Sequence, residues 1–231
     1  MIKRVSSVRS SIERLSQLPW AFDGLRWILE GGFQKHRNLL SRHFSDPPRR
    51  ILDCGCGTGI FANYFSPDAY LGIDISATYI AHARARYSRH QFHVMDATQL
   101  NFEDQAFDAV MVSGVVHHLD MATSKKMLAE IARVLRPDGT LLLWEDVPTR
   151  SAFNLVGHLV HRLDVGDYIR SGSEYAQLMS PYFKIESTEA MRSGFMDYAV
   201  FRVRRRNLHS HVMKLESNAL TPLMETVVGT A

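Results

Sequence analysis

Short apolar runs alternate with segments of helical spacing through the middle of the chain. The runs predict five strands, at residues 49–54, 69–74, 91–95, 107–112 and 139–146. After the second strand, Ser76 can cap a helix that continues to Arg86. Before the last strand, apolar positions at helical spacing over 127–135 predict a helix that ends at Pro137-Asp138-Gly139. This alternation is typical of a parallel sheet covered by helices.

The pattern changes before and after this region. Residues 11–44 have helical spacing that a proline and a pair of glycines interrupt, so we expect two or three short helices there. After residue 150, one more helix and a polar loop that includes Gly172 come before two further apolar segments. These segments, 182–190 and 197–206, predict an antiparallel hairpin.

The same changes divide the chain into three segments. Residues 1–45 are expected to form a helical segment that helps to choose the substrate, and residues 46–206 the main domain. Residues 207–231 have no clear period, and we expect a loose helix or a disordered tail there.

Composition and charge restrict the class of protein. With 231 residues and 45% hydrophobic composition, the chain can bury a full core. Its apolar runs are shorter than the roughly 18 residues that cross a bilayer, and no apolar block follows Met1–Val5 as in a secretory signal. We therefore expect a cytoplasmic protein. A formal net charge of +3 is too small to favour nucleic acid as a partner.

A glycine-rich turn follows the first predicted strand. In Asp53-Cys54-Gly55-Cys56-Gly57-Thr58-Gly59, alternate glycines allow positive φ and let a ligand lie against the backbone. The dinucleotide fingerprint has a different spacing and would need glycine at Ile60. Downstream, Asp74 can accept ribose hydroxyls in either kind of nucleotide site, and Asp96 suits an adenine amine. The turn therefore indicates a nucleoside-containing cofactor.

The chain offers little sign of a metal. Cys54 and Cys56, its two cysteines, occupy turn positions that require small residues, and no second cysteine pair could complete a metal site. His158, His161 and Asp164 recur every three residues, a spacing that a solvated helix face explains better than a metal site does. We expect no bound metal.

Several motifs in fixed order carry a resemblance to a known family. They are Asp53–Gly59, Gly72-Ile73-Asp74-Ile75-Ser76, Asp96-Ala97, Phe107-Asp108-Ala109-Val110 and Arg133–Gly139. Over residues 49–147 the chain resembles class I S-adenosylmethionine-dependent methyltransferases, most of all the group called methyltransferase type 11. The resemblance implies an α/β fold, a Rossmann-like doubly wound seven-stranded sheet with an antiparallel last strand and an N-terminal helical lid.

The resemblance also implies a cofactor, S-adenosyl-L-methionine, and the residues that bind it. Asp53 and the glycines would approach its methionine part, Asp74 its ribose, and Asp96 with Ala97 its adenine. The expected cofactor-binding residues are Asp53, Gly55, Cys56, Gly57, Gly59, Asp74, Ile75, Asp96, Ala97 and Ser113.

Candidate catalytic residues follow the fourth and fifth predicted strands. Methyl transfer to oxygen needs a group that removes a proton, and histidine suits that task near neutral pH. His118 is the first candidate for this base and His117 the second, with a packing role as the alternative for both. Glu145, after the fifth strand, could orient a substrate hydroxyl, act as base or cap the next helix.

The acceptor is less constrained than the cofactor. Trp20, Phe22 and Trp27 would form either an aromatic lid over the cleft or part of the core. We expect a small-molecule or lipid-like acceptor, O-methylation before C-methylation, and at most weak contact with a membrane surface. The oligomeric state is open. The alternatives are an NAD-type oxidoreductase on a Rossmann fold and a non-catalytic partner protein that has kept the methyltransferase fold.

Overall fold

The computed structural model describes residues 18–163 and 168–206, with backbone only at Leu163. The first 17 residues of the predicted helical segment and the predicted tail at 207–231 lie outside the described residues. The domain boundaries after residues 45 and 206 stay predictions. Within the described ranges, no helix has both the length and the apolar composition that crossing a bilayer requires.

Seven strands form one sheet. They are β1 Ile51–Cys54, β2 Tyr70–Asp74, β3 Gln91–Val94, β4 Phe107–Ser113, β5 Leu135–Asp146, β6 Phe183–Ser193 and β7 Met196–Arg205. Their order across the sheet is β3-β2-β1-β4-β5-β7-β6. Neighbours among β1 to β5 are parallel, whereas β7 is antiparallel to both β5 and β6. The predicted doubly wound sheet with an antiparallel last strand is confirmed.

In the described residues, two α-helices precede the first strand, and four lie in the connections between strands. They are α1 Pro19–Leu29, α2 Gln34–His43, α3 Ala77–Arg86, α4 Met121–Val134, α5 Leu155–Leu163 and α6 Gly172–Met179. The predicted cap of α3 is present, since Ser76 Oγ accepts a hydrogen bond of 3.3 Å from the Tyr79 amide. Side chains at 141–144 are all buried, as expected for a strand with helices on both faces.

The largest boundary difference from the sequence prediction lies between α4 and β5. Helix α4 ends at Val134, and β5 begins at Leu135 instead of Gly139, because fully buried Leu135 pairs with Phe107 at the start of β4. The register between β4 and β5 shifts between the Phe107–Leu135 pair and the Ala109–Thr140 pair. The Pro-Asp-Gly segment therefore forms an irregularity within β5.

Helix α6 was predicted as part of a polar loop. Its N-terminus is a capping box, in which Ser171 Oγ accepts from the Glu174 amide and Glu174 accepts from the Ser171 amide at 2.7 Å. The Ser-x-x-Glu spacing is readable in the sequence, and it is the signal that could have revealed the helix.

The sheet topology places the functional edge. Strand β1 lies between β2 and β4, and the chain winds in opposite directions on its two sides. At such a switch point, parallel strands leave a crevice at their carboxyl ends. Asp53, Asp74 and Ser113 stand at these ends of β1, β2 and β4, although they are far apart in the sequence.

Candidate functional site

A cavity of about 640 Å³ opens at the carboxyl ends of β1, β2 and β4. Helix α1 closes one side of it with Phe22 and Arg26. The sequence-predicted residues that line the cavity are Asp53, Gly55, Cys56, Gly57, Asp74, Ile75, Asp96, Ala97, Ser113 and His118. Gly59, His117 and Glu145 are outside its lining. The cavity is large enough for a nucleoside-sized ligand.

The glycine turn forms the floor of the cavity. Gly55 has φ +81°, and a Cβ built there would lie 2.4 Å from Cγ2 of Val115. Gly57 has φ +54°, and a Cβ there would meet nothing within 4 Å, so this face of the backbone is open to a ligand. At Gly59, a Cβ would lie 2.8 Å from the Phe92 ring, which indicates a packing role.

Asp53 is a buried carboxylate with one unsatisfied oxygen. The Tyr70 hydroxyl donates to its Oδ2 at 2.6 Å, whereas Oδ1 has no hydrogen-bond partner among the described residues. Burial raises the pKa of Asp53 to about 7, against the opposing effect of the Tyr70 hydrogen bond. The Ser113 hydroxyl also lines the cavity and lacks such a partner. Buried polar atoms without partners are rare, so a ligand is expected to satisfy both.

Asp74 is held by two backbone amides. Gly57 N donates to its Oδ2 at 2.9 Å, and Ser76 N donates to its Oδ1 at 2.8 Å. Burial raises its pKa, while these two hydrogen bonds act in the opposite direction. Each carboxylate oxygen keeps a second lone pair, so Asp74 can also accept hydrogen bonds from ligand hydroxyls.

Asp96 stands at a more open part of the cavity. Its side chain is exposed, and Oδ1 accepts a hydrogen bond of 2.8 Å from the Thr98 amide. Lys126 of α4 lines this cavity as well, although the sequence did not single it out.

Glu145 accepts hydrogen bonds from the turn after β4, on the side of that turn away from the cavity. It is fully buried, and its Oε1 accepts from the amides of Val115 and Val116 at 3.0 and 2.9 Å. Its Oε2 accepts from the His117 amide at 3.3 Å and lies 2.9 Å from Nδ1 of the same histidine. His117 Nε2 lies 3.6 Å from Asp146 Oδ2. Glu145 and His117 therefore support the turn behind the cavity.

His118 occupies the other side of this turn. Its side chain is exposed and lines the cavity, and its ring lies 4.0 Å from the His117 ring between centroids. Of the three predicted catalytic residues, the structure brings His118 to the cavity and leaves the other two beneath it.

The aromatic residues of α1 also differ in position, since one lines the cavity and two are exposed to solvent. Phe22 lines the cavity and stacks on Tyr79, with ring centroids 5.4 Å apart. Trp20 and Trp27 are 68% and 59% exposed and line no part of the cavity. Of the three aromatic residues, Phe22 alone therefore reaches the cavity, and the two tryptophans belong neither to its lining nor to the core.

Polar contacts attach α1 to the rest of the site. Asp23 accepts from the Thr58 hydroxyl at 2.5 Å and from Arg86 at 3.0 Å, which ties the helix to the glycine turn and to α3. Arg26 Nε donates to Glu30 at 2.6 Å. Sequence reasoning missed Asp23 and Arg26, although the four-residue spacing of Phe22, Arg26 and Glu30 places these three on one helix face.

The described residues offer no group of three side chains that could hold a metal ion. Both cysteines are free and buried, and burial raises the pKa of each thiol. His161 Nδ1 lies 2.9 Å from the Thr149 hydroxyl, and His158 Nε2 lies 3.2 Å from a backbone oxygen. Asp164 lies outside the described residues.

Two comparisons identify the family. A family model described as a methyltransferase domain matches residues 52–143. Demethylmenaquinone methyltransferase of Thermus thermophilus is 33% identical over 152 residues, which cover 61% of this chain and 68% of that relative. The chain belongs to the class I S-adenosylmethionine-dependent methyltransferases. This membership decides against the NAD-type oxidoreductase.

Other members of the methyltransferase family match the chain more locally. The probable tRNA methyltransferase 9B of Bos taurus is 37% identical over 99 residues, which are 42% of this chain. The chain spans 21% to 30% of the length of the first curated relatives that it matches. A solved structure of 1,6-didemethyltoxoflavin-N1-methyltransferase from Burkholderia thailandensis has a TM-score of 0.62 at 20% identity, covering 89% of this chain and 90% of that one. This likeness shows a shared fold.

The residues of the cavity fit the family's cofactor, S-adenosylmethionine. That molecule carries an ammonium and a sulfonium, both cationic, and the cavity presents the carboxylates of Asp53, Asp74 and Asp96. The unsatisfied Oδ1 of Asp53 can accept from the ammonium, and the open face of Gly57 leaves room for the ligand beside the backbone. The predicted cofactor is confirmed by the family, and the roles of single residues stay proposals.

Proposed function

We propose that the chain transfers the methyl group of S-adenosylmethionine to a small-molecule or lipid-like acceptor, with oxygen favoured over carbon as the receiving atom. The position of His118 carries this proposal. Its exposed side chain lines the cavity, in the same turn as Ser113, while Glu145 holds that turn through three backbone amides. A histidine at the cavity wall can serve an acceptor hydroxyl, which must lose a proton.

The carboxylates would bind and orient the cofactor. S-adenosylmethionine supplies a methyl group that its sulfonium makes electrophilic. Asp53 would accept from the ammonium, Asp74 from the ribose hydroxyls, and Asp96 from the adenine amine. Positioning of this kind can lower a barrier by roughly 7 to 11 kcal/mol.

His118 would act as the general base. As the bond between the acceptor oxygen and the methyl carbon forms and the bond between carbon and sulfur breaks, the hydroxyl proton would pass to His118. A base of this kind contributes about 10²- to 10⁴-fold in rate. His117 and Glu145 would be positioning residues, because they fix the turn that presents His118 and do not line the cavity.

The acceptor class is supported by charge and by the extent of the matches. A formal net charge of +3 is small for a protein that binds an RNA backbone. The match to the probable tRNA methyltransferase 9B is confined to 99 residues. We therefore place a small or lipid-like molecule before tRNA. The cytoplasmic location expected from the sequence stays a prediction.

The test uses purified protein, S-adenosylmethionine with a labelled methyl group, and matched acceptors that differ only in a hydroxyl group. We expect label in the hydroxyl compounds, and a His118→Ala variant that loses at least 100-fold in kcat, about the contribution of a general base. The affinity of this variant for S-adenosylhomocysteine should change by less than about threefold, because a general base acts on the acceptor and does not bind the cofactor.

The outcomes separate the alternatives. If His118→Ala lowers kcat and cofactor affinity equally, His118 has a packing role and is not the general base. Cofactor binding without any labelled acceptor in a cell extract would favour the non-catalytic partner protein. Label in tRNA alone would overturn the assignment of acceptor class.

A further inference from the structure

One side of the molecule carries an apolar patch formed by α1, residues 153–159 and the tip of the β6-β7 hairpin. We define the apolar patch as Trp27, Ile28, Phe153, Leu155, Leu159 and Phe195. Their exposed fractions are 59%, 63%, 95%, 75%, 56% and 40%. Single exposed apolar residues are common on protein surfaces, whereas a cluster of this size marks an interaction site.

Direct contacts make the patch continuous. The Phe195 amide donates to the Leu29 carbonyl at the end of α1, at 2.8 Å. Asn154 Nδ2 donates to the Phe195 carbonyl at 2.7 Å, just before α5 begins. The three parts of the patch are therefore joined within a few ångströms of Phe195.

Helix α1 has two different faces. Phe22 and Arg26 line the cavity, and Glu30, four residues further, is buried. Trp20, Trp27 and Ile28 lie on the opposite side at helical spacing and are exposed. The apolar patch and the cavity thus share one helix as their common wall.

Exposed basic residues lie close to the patch along the chain. Arg150, Arg162 and Arg192 are exposed on the three segments that flank Phe153 and Phe195. Of the acids on α1 and beside the hairpin tip, Glu30 is 3% and Asp197 is 4% exposed, and Asp23 is hydrogen-bonded to Thr58 and Arg86. Further along β6, the partly exposed Glu186 and Glu189 pair with Arg202 and Arg42. Asp164 and Asp167 lie outside the described residues.

We propose that the apolar patch docks the protein on the surface of an anionic lipid bilayer. Aromatic and aliphatic side chains that enter the headgroup region, with arginines beside them, are the chemistry by which interfacial helices bind membranes. Each exposed arginine adds attraction to anionic headgroups that salt screens. Docking would bring the α1 wall of the cavity next to the lipid. This proposal does not depend on the identity of the methyl acceptor.

The test is co-sedimentation of the full chain with vesicles of phosphatidylcholine alone or with roughly a quarter phosphatidylglycerol. We expect binding to the mixed vesicles, weaker binding to the neutral ones, and a decrease with added salt. Emission from Trp27, which belongs to the patch, should shift to shorter wavelength on binding, while Trp20, outside the patch, and buried Trp144 contribute a constant signal.

Two matched double variants test the patch itself. Phe153→Ser with Leu155→Ser should lower the vesicle partition coefficient by about tenfold or more, since both side chains are largely exposed and available to the lipid. Tyr64→Ser with Val94→Ser removes an aromatic and an aliphatic side chain that are 38% and 49% exposed outside the patch, and it should retain binding. Arg162→Glu should weaken binding to the anionic vesicles alone.

Three results would overturn the proposal. The first is that the wild type does not bind the vesicles, and the second is that both double variants lose vesicle binding equally. The third is that the wild type is a dimer that does not bind vesicles and that Phe153→Ser with Leu155→Ser converts to a monomer. The last result would show that a second copy of the chain covers the patch. Unchanged unfolding midpoints confirm that the variants are folded.

Discussion

At the scale of single residues, neighbours in the sequence have different tasks. His117 and His118 are adjacent, yet one contacts buried Glu145 and the other lines the cavity. Asp53 and Asp74 both lie at the carboxyl ends of strands beside the glycine turn, but Asp74 accepts hydrogen bonds from two backbone amides while Asp53 keeps an oxygen without a partner among the described residues. Residue type alone therefore does not distinguish a ligand contact from a support.

Asp53 predicts a pH dependence of cofactor binding. Burial raises its pKa to about 7 in the free protein, and a cationic ammonium binds the ionised form. The affinity for S-adenosylhomocysteine should therefore fall as pH drops below 7, by up to roughly tenfold per pH unit. Calorimetry between about pH 7 and 5.5 measures it. Asp53→Asn should bind weakly with a flatter profile, and equal slopes for both proteins would contradict this assignment.

Glu145 is predicted to matter for stability. Glu145→Gln replaces one acceptor oxygen with an NH2 group, which cannot accept from a backbone N–H, at a cost of about 1–3 kcal/mol in the free energy of unfolding. Urea denaturation measures this cost. Glu186→Gln is the control, because its ion pairs with Arg202 and Arg204 are partly exposed and each is worth at most about 1 kcal/mol. Equal losses in the two variants would refute the supporting role.

At the scale of elements, α1 is the least anchored part of the site. None of its residues is buried, and it is held by Asp23, by Arg26 and by the hydrogen bond of Leu29 to the hairpin tip. Elements with few buried contacts open at low free-energy cost. Because α1 also forms a wall of the cavity, we expect its opening to allow cofactor exchange.

Asp23→Asn should speed cofactor release. The substitution weakens the contacts with Thr58 and Arg86, so we expect S-adenosylhomocysteine to dissociate about tenfold faster. Stopped-flow displacement measures the rate constant. The control is Asp104→Asn, which affects an ion pair with Arg133 away from the cavity. An unchanged rate in Asp23→Asn would mean that α1 does not control exchange.

At the scale of the whole molecule, a buried polar group links the N-terminal helices to the sheet. His36 of α2 is fully buried between Phe61, Trp144 and Tyr198, and its Nε2 lies 3.2 Å from Glu30. Burial lowers the pKa of His36 to about 4, with Glu30 acting in the opposite direction. The folded protein therefore resists protonation of this histidine.

This predicts acid sensitivity. The unfolded chain gains a proton on His36 below about pH 6.5, while the folded chain does so near pH 4, so stability falls as the pH drops through this range. Between pH 7 and 5 the loss from this group is about 2 kcal/mol. Urea unfolding of the wild type and of His36→Gln at both pH values measures it. The proposal fails if the variant loses as much stability as the wild type.

Much of the fold could be predicted because its signals are local. The strands of the parallel sheet, the cap at Ser76 and the C-terminal hairpin follow from patterns within a few residues. The start of β5 was misplaced because Pro137 and Gly139 look like a turn, whereas pairing of Leu135 with Phe107 extends the strand. Helix α6 replaces the predicted loop because the capping box of Ser171 and Glu174 starts a helix at Gly172.

The sequence by itself determined the family, the cofactor and the glycine turn, because these depend on residue types at short, fixed spacing. Only the tertiary structure decided that His118 reaches the cavity while His117 lies under it, since that depends on Glu145, 28 residues further along the chain. It also decided that Phe22 faces the cavity and Trp27 faces outward. A helical pattern shows which residues share a face, but only packing between distant segments decides what that face meets.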